Sequence, residues 1–547
     1  MFLPAAPPPV PSGGVIEREL EKEYEAEPLE PERRLPEIEI EVPKEQLKIP
    51  AGLKVKISGL EIRGNEALAS REIKKRLQQS FGSFDRALSI GEIYELCRQI
   101  EIFYAEKGFF LARAFPPPQK IEKGLLVIEV LEGKLGRLKI IGNKHYREAF
   151  ILQYFAPFKN RAINYDQFLR ALMLLNENSD LVAGALLEKG QEVGRVDLVI
   201  RVQDKYPAHL YLNGNNYGRL LTTSARVGAR LDSRLFVDGD KFSVAEVIGF
   251  PVSALYFTDF SYRFPVNARG TFWELSYLTS RFHIQELKDL HLKGRSDIAT
   301  LKVTHALRRG RFLNADIFAY FDYKQIKNYT LGRVTSFDKL RPLTFGVNLD
   351  HFSLKLGRNF LILRTAFGLP GFLGGLKDPS AISSRSGAHG KFVKLNLDYD
   401  CLRKLTYDMF FFLHSSGQWS PNRLTVPEQI YIGGADTVRG FSLASAMGDS
   451  GYYFNFEWRF PFFGLKDVSF FGAKKKWKEI LQFSAFLDQG GVFSKGNSHK
   501  FETGAGLGVR LNAFWSLAVT FEAGFPLNHR ETNRKAFFYL KITGQPF

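Results

Sequence analysis

Two cysteines, Cys97 and Cys401, are all that the 547 residues hold, which excludes a disulfide scaffold and any multi-thiolate metal site. Long apolar runs are missing as well. The best candidate, residues 365–376, is broken by Gly and Pro and falls well short of the roughly 20 residues a membrane helix needs. A β-barrel span is not excluded, because its strands alternate and never raise the mean hydropathy. The chain also lacks a Gly-x-x-x-x-Gly-Lys-[Ser/Thr] phosphate loop, a His-Glu-x-x-His zinc helix and a Gly-x-Ser-x-Gly elbow, and its 10 His have no partner at ligand spacing. No catalytic, cofactor-binding or metal-ligating residue is therefore expected. A lumenal site assembled from distant strands is the one enzymatic alternative, and it names no residue.

Lys and Arg number 75 against 58 Asp and Glu, a net charge of +17 that invites a nucleic-acid reading. The excess is spread along the chain without a basic run or a Cys/His finger, so nucleic acid is not expected as a partner. Residues 15–50 hold 12 Glu against 6 Lys and Arg, an acidic tail that leaves the remainder 23 positive. A solvated polar face or a water-filled basic lumen accounts for that remainder better. Phe is abundant, at 50 residues.

Residues 1–53 read as a leader. Its first six residues lack the charged region and apolar stretch of a signal peptide, so the chain is expected either in mature form or with a misplaced start. Residues 15–26 suit a short helix, and the Pro spacing from 28 to 50 forbids one, giving an extended acidic linker or a disordered tail. Residues 54–133 read as a compact α/β unit. Val55, Ile57, Leu60 and Ile62 give a strand ending at Gly64-Asn65; a helix covers 70–80; Ser89 and Glu92 make a capping box for a second helix, stopped by Gly108. Strands at 109–115 and 125–131 flank Pro116-Pro117-Pro118. Residues 134–204 repeat the plan, with a strand ending at Gly142-Asn143, helices at 146–155 and after the cap Asn164, and strands at 181–187 and 196–202.

After Lys205 helical periodicity stops and alternation runs to the last residue. Tyr452, Phe454, Phe456, Trp458 and Phe460 alternate with Tyr453, Asn455, Glu457 and Arg459, and residues 225–232 and 504–511 behave alike. A soluble sandwich also alternates, but charged residues opposite an aromatic face invert a packed core. Apolar-out, polar-in is the rule of a membrane barrel. The span 205–547 allows about 21 residues per strand and connection for 16 strands. Short connections at 238–240 and 265–270 and a long one at 416–451 set the orientation, the long loop facing outside.

That loop contains Gly433-Gly434-Ala435-Asp436-Thr437-Val438-Arg439-Gly440-Phe441 and then Gly448-Asp449-Ser450-Gly451-Tyr452-Tyr453. Phe486-Leu487-Asp488-Gln489-Gly490 follows on a later strand. Here the chain resembles the two-partner secretion transporters of the TpsB, or haemolysin-activator, type, in the superfamily that contains BamA. The loop matches their Val-Arg-Gly-[Phe/Tyr] hallmark at Val438, Arg439, Gly440 and Phe441, and the strand matches Phe-x-Asp-x-Gly at Phe486, Asp488 and Gly490. The resemblance implies α+β POTRA domains at 54–133 and 134–204, in the periplasm of a Gram-negative-type bacterium, followed by an outer-membrane barrel of 16 antiparallel strands at 205–547. It implies a sixth outer loop (416–451) folded into the lumen, Arg439 meeting Asp488, and a plug helix at 15–26. The implied function is export of an unfolded secreted partner, TpsA-like and β-helical, without ATP or any cofactor.

Client contact is expected at a POTRA sheet edge, for which Phe109, Phe110, Leu111 and Phe115 are candidates. Phe547 resembles the signal read by the barrel-assembly machinery, although Pro546 interrupts the usual pattern there. Periplasmic chaperones and membrane lipids complete the implied partners, and the protein is expected to be a monomer. A BamA-like assembly factor is the alternative; such proteins share the loop motif but usually carry more POTRA units and no plug helix. A passive porin is a further rival.

Overall fold

The structure, a computed structural model, describes residues 35–41, 54–218, 222–284, 290–353, 355, 357–377, 379–470, 475–494, 498–512, 516–528 and 535–546. The expected plug helix, most of the acidic linker and Phe547 lie outside the described residues. Two compact units divide the chain, Arg34–Tyr206 and a second holding Pro207–Phe547.

The first unit contains two halves of one plan. In the first half, β2 (Lys54–Ile57) and β3 (Gly59–Arg63) replace the single strand expected from the sequence. The break has a local cause: the N–H groups of Ser58 and Gly59 both donate to the Gly124 carbonyl, at 2.7 and 3.2 Å, which turns the chain between them. Helix α1 (Ser70–Phe81) follows, then β4 (Arg86–Ser89), which pairs with β2, and α2 (Ile90–Glu106). The expected capping box opens α2: Ser89 Oγ accepts from the Glu92 N–H at 3.2 Å, and Glu92 Oε2 accepts from the Ser89 N–H at 2.7 Å. The helix buries Ile93, Leu96, Cys97, Ile100 and Tyr104 against Leu60, Ile62, Leu126 and Ile128 of the sheet.

The strand expected at 109–115 is only β5 (Arg113–Phe115), an edge strand antiparallel to β6 (Leu125–Leu131), which runs parallel to β3. Phe109, Phe110 and Leu111 form a turn. The Phe109 ring meets Tyr104 edge-on at 6.1 Å, Phe110 meets Tyr165 at 5.5 Å and 87°, and Leu111 is buried. Ring packing there overrides the β-propensity of the run.

The second half comprises β7 (Lys134–Ile141), α3 (Glu148–Phe155), α4 (Tyr165–Leu175), β8 (Leu181–Lys189) and β9 (Arg195–Asp204). The repeat extends to single atoms. Asn65 Nδ2 donates to the Leu68 carbonyl at 2.8 Å and Asn143 Nδ2 to the Tyr146 carbonyl at 3.0 Å. A carboxylate at the end of the last strand of each half braces the same turn: Glu132, just past β6, accepts from the Ala67 N–H at 2.7 Å, and Asp204, the last residue of β9, from the N–H groups of Lys144, His145 and Tyr146 at 2.7–3.0 Å. Partial burial pushes the Asp204 carboxyl up, but the His145, Tyr146 and Lys144 donors outweigh it and hold it below the usual range.

The sheet order of this half is β1-β8-β9-β7, and β1 comes from the leader: Ile38–Glu41, within the expected linker, pairs in parallel with β8.

The second unit is a closed antiparallel barrel. Arg333–Leu340 and Pro342–Ser353 follow one another around Arg341 and pair in succession with Leu313–Thr330, so they form one interrupted strand and the barrel has sixteen among the described residues. Ala208–Asn215 closes it against Phe537–Gly544 through four residue pairs. The expected inversion is present. Val227, Leu231, Phe454, Trp458 and Leu507 lie exposed on the outer face, whereas Arg226, Asp232, Asn455, Glu457 and Glu502 are buried on the inner one. The short connection at 238–240 is held by Asp240, which accepts from the N–H groups of Leu235, Phe236 and Val237 at 2.7–2.9 Å. The strands Phe410–Trp419 and Ser450–Pro461 extend further than expected and trim the long loop to 420–449.

Candidate functional site

The long loop does not project from the barrel. It folds back as a hairpin, Ile430–Ile432 against Ala446–Gly448, and its tip lies buried within the lumen: Val438 is 0%, Phe441 2% and Arg439 4% exposed. Ile430, Ile432, Val438, Phe441 and Ala446 pack with Tyr453 and Val492 of the wall, so the hairpin carries its own apolar core into a polar interior.

At the tip Arg439 meets Asp488, as the motifs imply. Its Nε and Nη2 donate to Asp488 Oδ2 and Oδ1 at 2.7 and 2.8 Å, a two-pronged pair, and its backbone N–H adds a third bond at 3.0 Å. Nη1 reaches Glu522 at 3.0 Å and Glu457 at 3.3 Å. The guanidinium stacks on the Phe486 ring, 3.5 Å from its centroid, which gives the first motif aromatic a role. Glu457 also pairs with Arg459 at 2.7 Å and Arg510 at 2.9 Å. Three guanidinium groups and three carboxylates thus form one balanced network, which is the condition under which buried charge is tolerated.

Close backbone approach completes the fit. A Cβ on Gly504 would stand 1.8 Å from the Arg439 carbonyl oxygen, and one on Gly524 would stand 2.7 Å from the Gly440 nitrogen. Gly490, the last residue of the strand motif, leaves room for the Val438 side chain. The Gly440 N–H donates to the Tyr539 hydroxyl at 3.0 Å, and Asn455 Nδ2 donates to the Thr437 carbonyl.

A second set of anchors holds the stem of the loop. Asp449, in the Gly-Asp-Ser-Gly segment, accepts from Arg385 and from the Leu424 N–H. Glu428, 1% exposed, pairs with Lys394 at 2.5 Å and Lys324 at 3.4 Å. Ser445 Oγ donates to the fully buried Glu502 at 2.6 Å.

The sequence reading brought Val438–Phe441 together with Phe486, Asp488 and Gly490. It did not single out Glu457, Glu522, Arg510, Tyr539, Gly504 or Gly524 as partners of the tip. Their one readable signal is inner-face parity: Glu457 alternates with the outward aromatics of its strand. Phe109, Phe110 and Leu111 lie in a packed turn, and Phe115 alone of that group stands on a sheet edge. Among the described residues no His/Cys/Asp/Glu cluster suits a metal ion.

A sixteen-stranded barrel whose longest loop is latched inside its own lumen, preceded by α/β units, defines a barrel transporter or assembly protein of the outer membrane. The family comparison narrows this. Residues 194–511 match the haemolysin secretion/activation protein ShlB/FhaC/HecB family and residues 55–133 match the ShlB-type POTRA domain, so the chain belongs to that family. It is an outer-membrane transporter of two-partner secretion, with its POTRA region in the periplasm. The heme/hemopexin transporter protein HuxB of Haemophilus influenzae is 23% identical over 90% of this chain and 87% of that protein. CdiB from Escherichia coli has the same fold, with a TM-score of 0.74 at 19% identity over 92% of this chain and 93% of that one. BamA from Haemophilus ducreyi, lacking POTRA domains 1–3, is a more distant likeness of fold, with a TM-score of 0.52 at 11% identity over 90% of this chain and 100% of that one.

Proposed function

We propose that the protein exports a large secreted partner of TpsA type, captured in the periplasm as an extended chain and threaded through the barrel without ATP. Both halves of the first unit act as POTRA domains. Capture uses sheet edges, where backbone hydrogen bonding gives affinity with little demand on sequence. In the first half β5, with Phe115 on it, is one outer strand of the three-stranded sheet. Folding of the client outside makes the movement directional.

The observation that carries this reading is the lumenal latch. A loop tip held by Arg439 across the wall strands that contribute Asp488, Glu457 and Glu522 occupies the route a client must take, and its charge network fixes one arrangement of that route. The latch holds the transport-competent state. Replacing Arg439 with Ala should cut secretion while leaving a heat-modifiable, correctly inserted barrel. The assay compares proteins released by cells that lack the gene, carry it, or carry the variant. Undiminished release by the variant removes the latch from the mechanism. Loss of outer-membrane proteins in place of a secreted one turns the reading toward an assembly factor.

A further inference from the structure

The longest connection on the periplasmic rim of the barrel has no part in the lumenal latch. Barrel strands alternate in direction from Ala208, which follows the periplasmic unit, so the connections after even-numbered strands lie on that rim. All but one hold at most seven residues; the exception, 462–480 between Ser450–Pro461 and Leu481–Ser494, holds 19. Its own bonds order it. The Phe470 N–H donates to the Lys475 carbonyl at 3.0 Å, the Trp477 N–H to the Val468 carbonyl at 3.0 Å, and the Lys478 N–H to the Lys466 carbonyl at 3.2 Å. The connection thus doubles back as a small foot, with the Phe470 ring edge-on to Trp477 at 4.7 Å.

Phe462, Phe463, Leu465 and Val468 of this foot are exposed. They continue the lipid-facing wall. Phe463 stacks on Phe460 at 6.4 Å and 4°, Phe462 meets Phe483 at 6.2 Å, and Phe460 pairs with Phe483 across the outer face that also carries Trp458. Aromatic groups at the ends of barrel strands seat at the membrane interface. A protein partner covering these rings would have to enter that interface.

Cations surround the patch. Lys466, Lys476 and Lys478 share two carboxylates, Asp408 and Asp467, at 3.1–3.9 Å, which ties the foot to the neighbouring connection 405–409 and leaves positive charge over. Arg403 and Lys475 are exposed and have no carboxylate partner among the described residues. Arg403 stands opposite Phe411, whose ring meets Trp458 at 5.8 Å, and so lies on the outer face. The sign holds along the rim: residues 266–270, 307–312, 353–358, 403–409 and 462–480 contain 13 Lys and Arg against 3 Asp and Glu, so an anionic surface is the complementary one.

We propose that the 462–480 foot, together with Arg403, docks anionic glycerophospholipids of the periplasmic leaflet. Their phosphates meet the lysines and Arg403, while Phe462, Phe463, Leu465 and Val468 seat among the acyl chains. Each cation near an anionic membrane surface strengthens such attachment roughly fivefold.

The test uses the full-length protein carrying Cys401→Ser and Val468→Cys, labelled at residue 468 with a nitrobenzoxadiazole dye and reconstituted in phosphatidylcholine vesicles. Doxyl-labelled phosphatidylglycerol or doxyl-labelled phosphatidylcholine is then added at equal mole fraction. The phosphatidylglycerol probe should quench the dye more strongly, with a preference of roughly fivefold or more. Arg403→Gln with Lys475→Gln should remove that excess, and so should high salt. Asp467→Asn leaves three lysines to share Asp408 alone and should raise the preference roughly fivefold, a gain that a damaged fold could not produce. Inorganic phosphate in excess over the lipid should change nothing. Equal quenching by the two probes, or a preference that ignores both sets of charge variants, overturns the proposal. Absence of quenching by either probe places the foot in water, overturns the proposal and turns the surface toward a protein partner. Displacement by inorganic phosphate overturns it in favour of a free-anion site.

Discussion

Release of the lumenal loop on loss of Arg439 can be worked out from the network. Arg439→Ala strips Asp488, 0% exposed, of both guanidinium bonds, whereas Glu457 keeps Arg459 and Arg510 and Glu522 keeps Arg510 at 3.7 Å. The uncompensated charge is therefore essentially one carboxylate. Removing one partner of a buried pair costs about 3–5 kcal/mol. Applied to a docked–undocked equilibrium of the loop, that shifts it roughly 10²- to 10⁴-fold.

Thr437, 1% exposed beside the tip, reports the shift when replaced by Cys and treated with a membrane-impermeant maleimide. Of the native thiols, Cys97 is buried, and burial with the nearby Glu101 carboxylate pushes it up to about 12, so it stays silent; Cys401 is replaced by Ser. Labelling of Thr437→Cys should accelerate by that factor in the Arg439→Ala background. Adding Asp488→Ala removes the orphaned charge and should recover about 1–3 kcal/mol, a slowing of roughly fivefold or more. Unchanged labelling in Arg439→Ala, or no recovery in the double variant, would refute the electrostatic account and leave the apolar hairpin core as the anchor.

Two other outcomes are expected. Gly504→Ala puts a methyl group 1.8 Å from the Arg439 carbonyl, against backbone that cannot yield, and should free the loop in the same labelling assay with every charge intact. Asp204 is depressed in the folded state, so its contribution is full above the ordinary carboxylate value of 3.8 and is lost as the pH falls below it. Hydrogen exchange at the His145 and Tyr146 amides should accelerate below that pH beyond its intrinsic dependence, and Asp204→Asn should remove the excess.

The barrel was legible because its constraint is local. Alternation within each strand needs no knowledge of its neighbours, and Phe454, Asn455, Glu457 and Trp458 each fall on the expected face. Arg439 and Asp488 were legible through paired motifs. Glu522 and Tyr539 were not, because the register of three successive strand pairs carries them to the tip, 83 and 99–100 residues along the chain. The first unit shows the opposite failure. The aromatic run from Phe109 has strand composition, yet its rings are consumed by contacts with Tyr104 and Tyr165. The segment Ile38–Glu41 reads as a linker because prolines and glutamates surround it, and its partner strand lies almost 150 residues away.

The docking of β1 also fixes a concentration. Between Glu41 and Lys54 lie the 12 residues 42–53, which however arranged can reach at most roughly 45 Å. One strand confined to a sphere of that radius is present at no less than a few millimolar. A free segment of equal affinity must exceed that level to take the same edge.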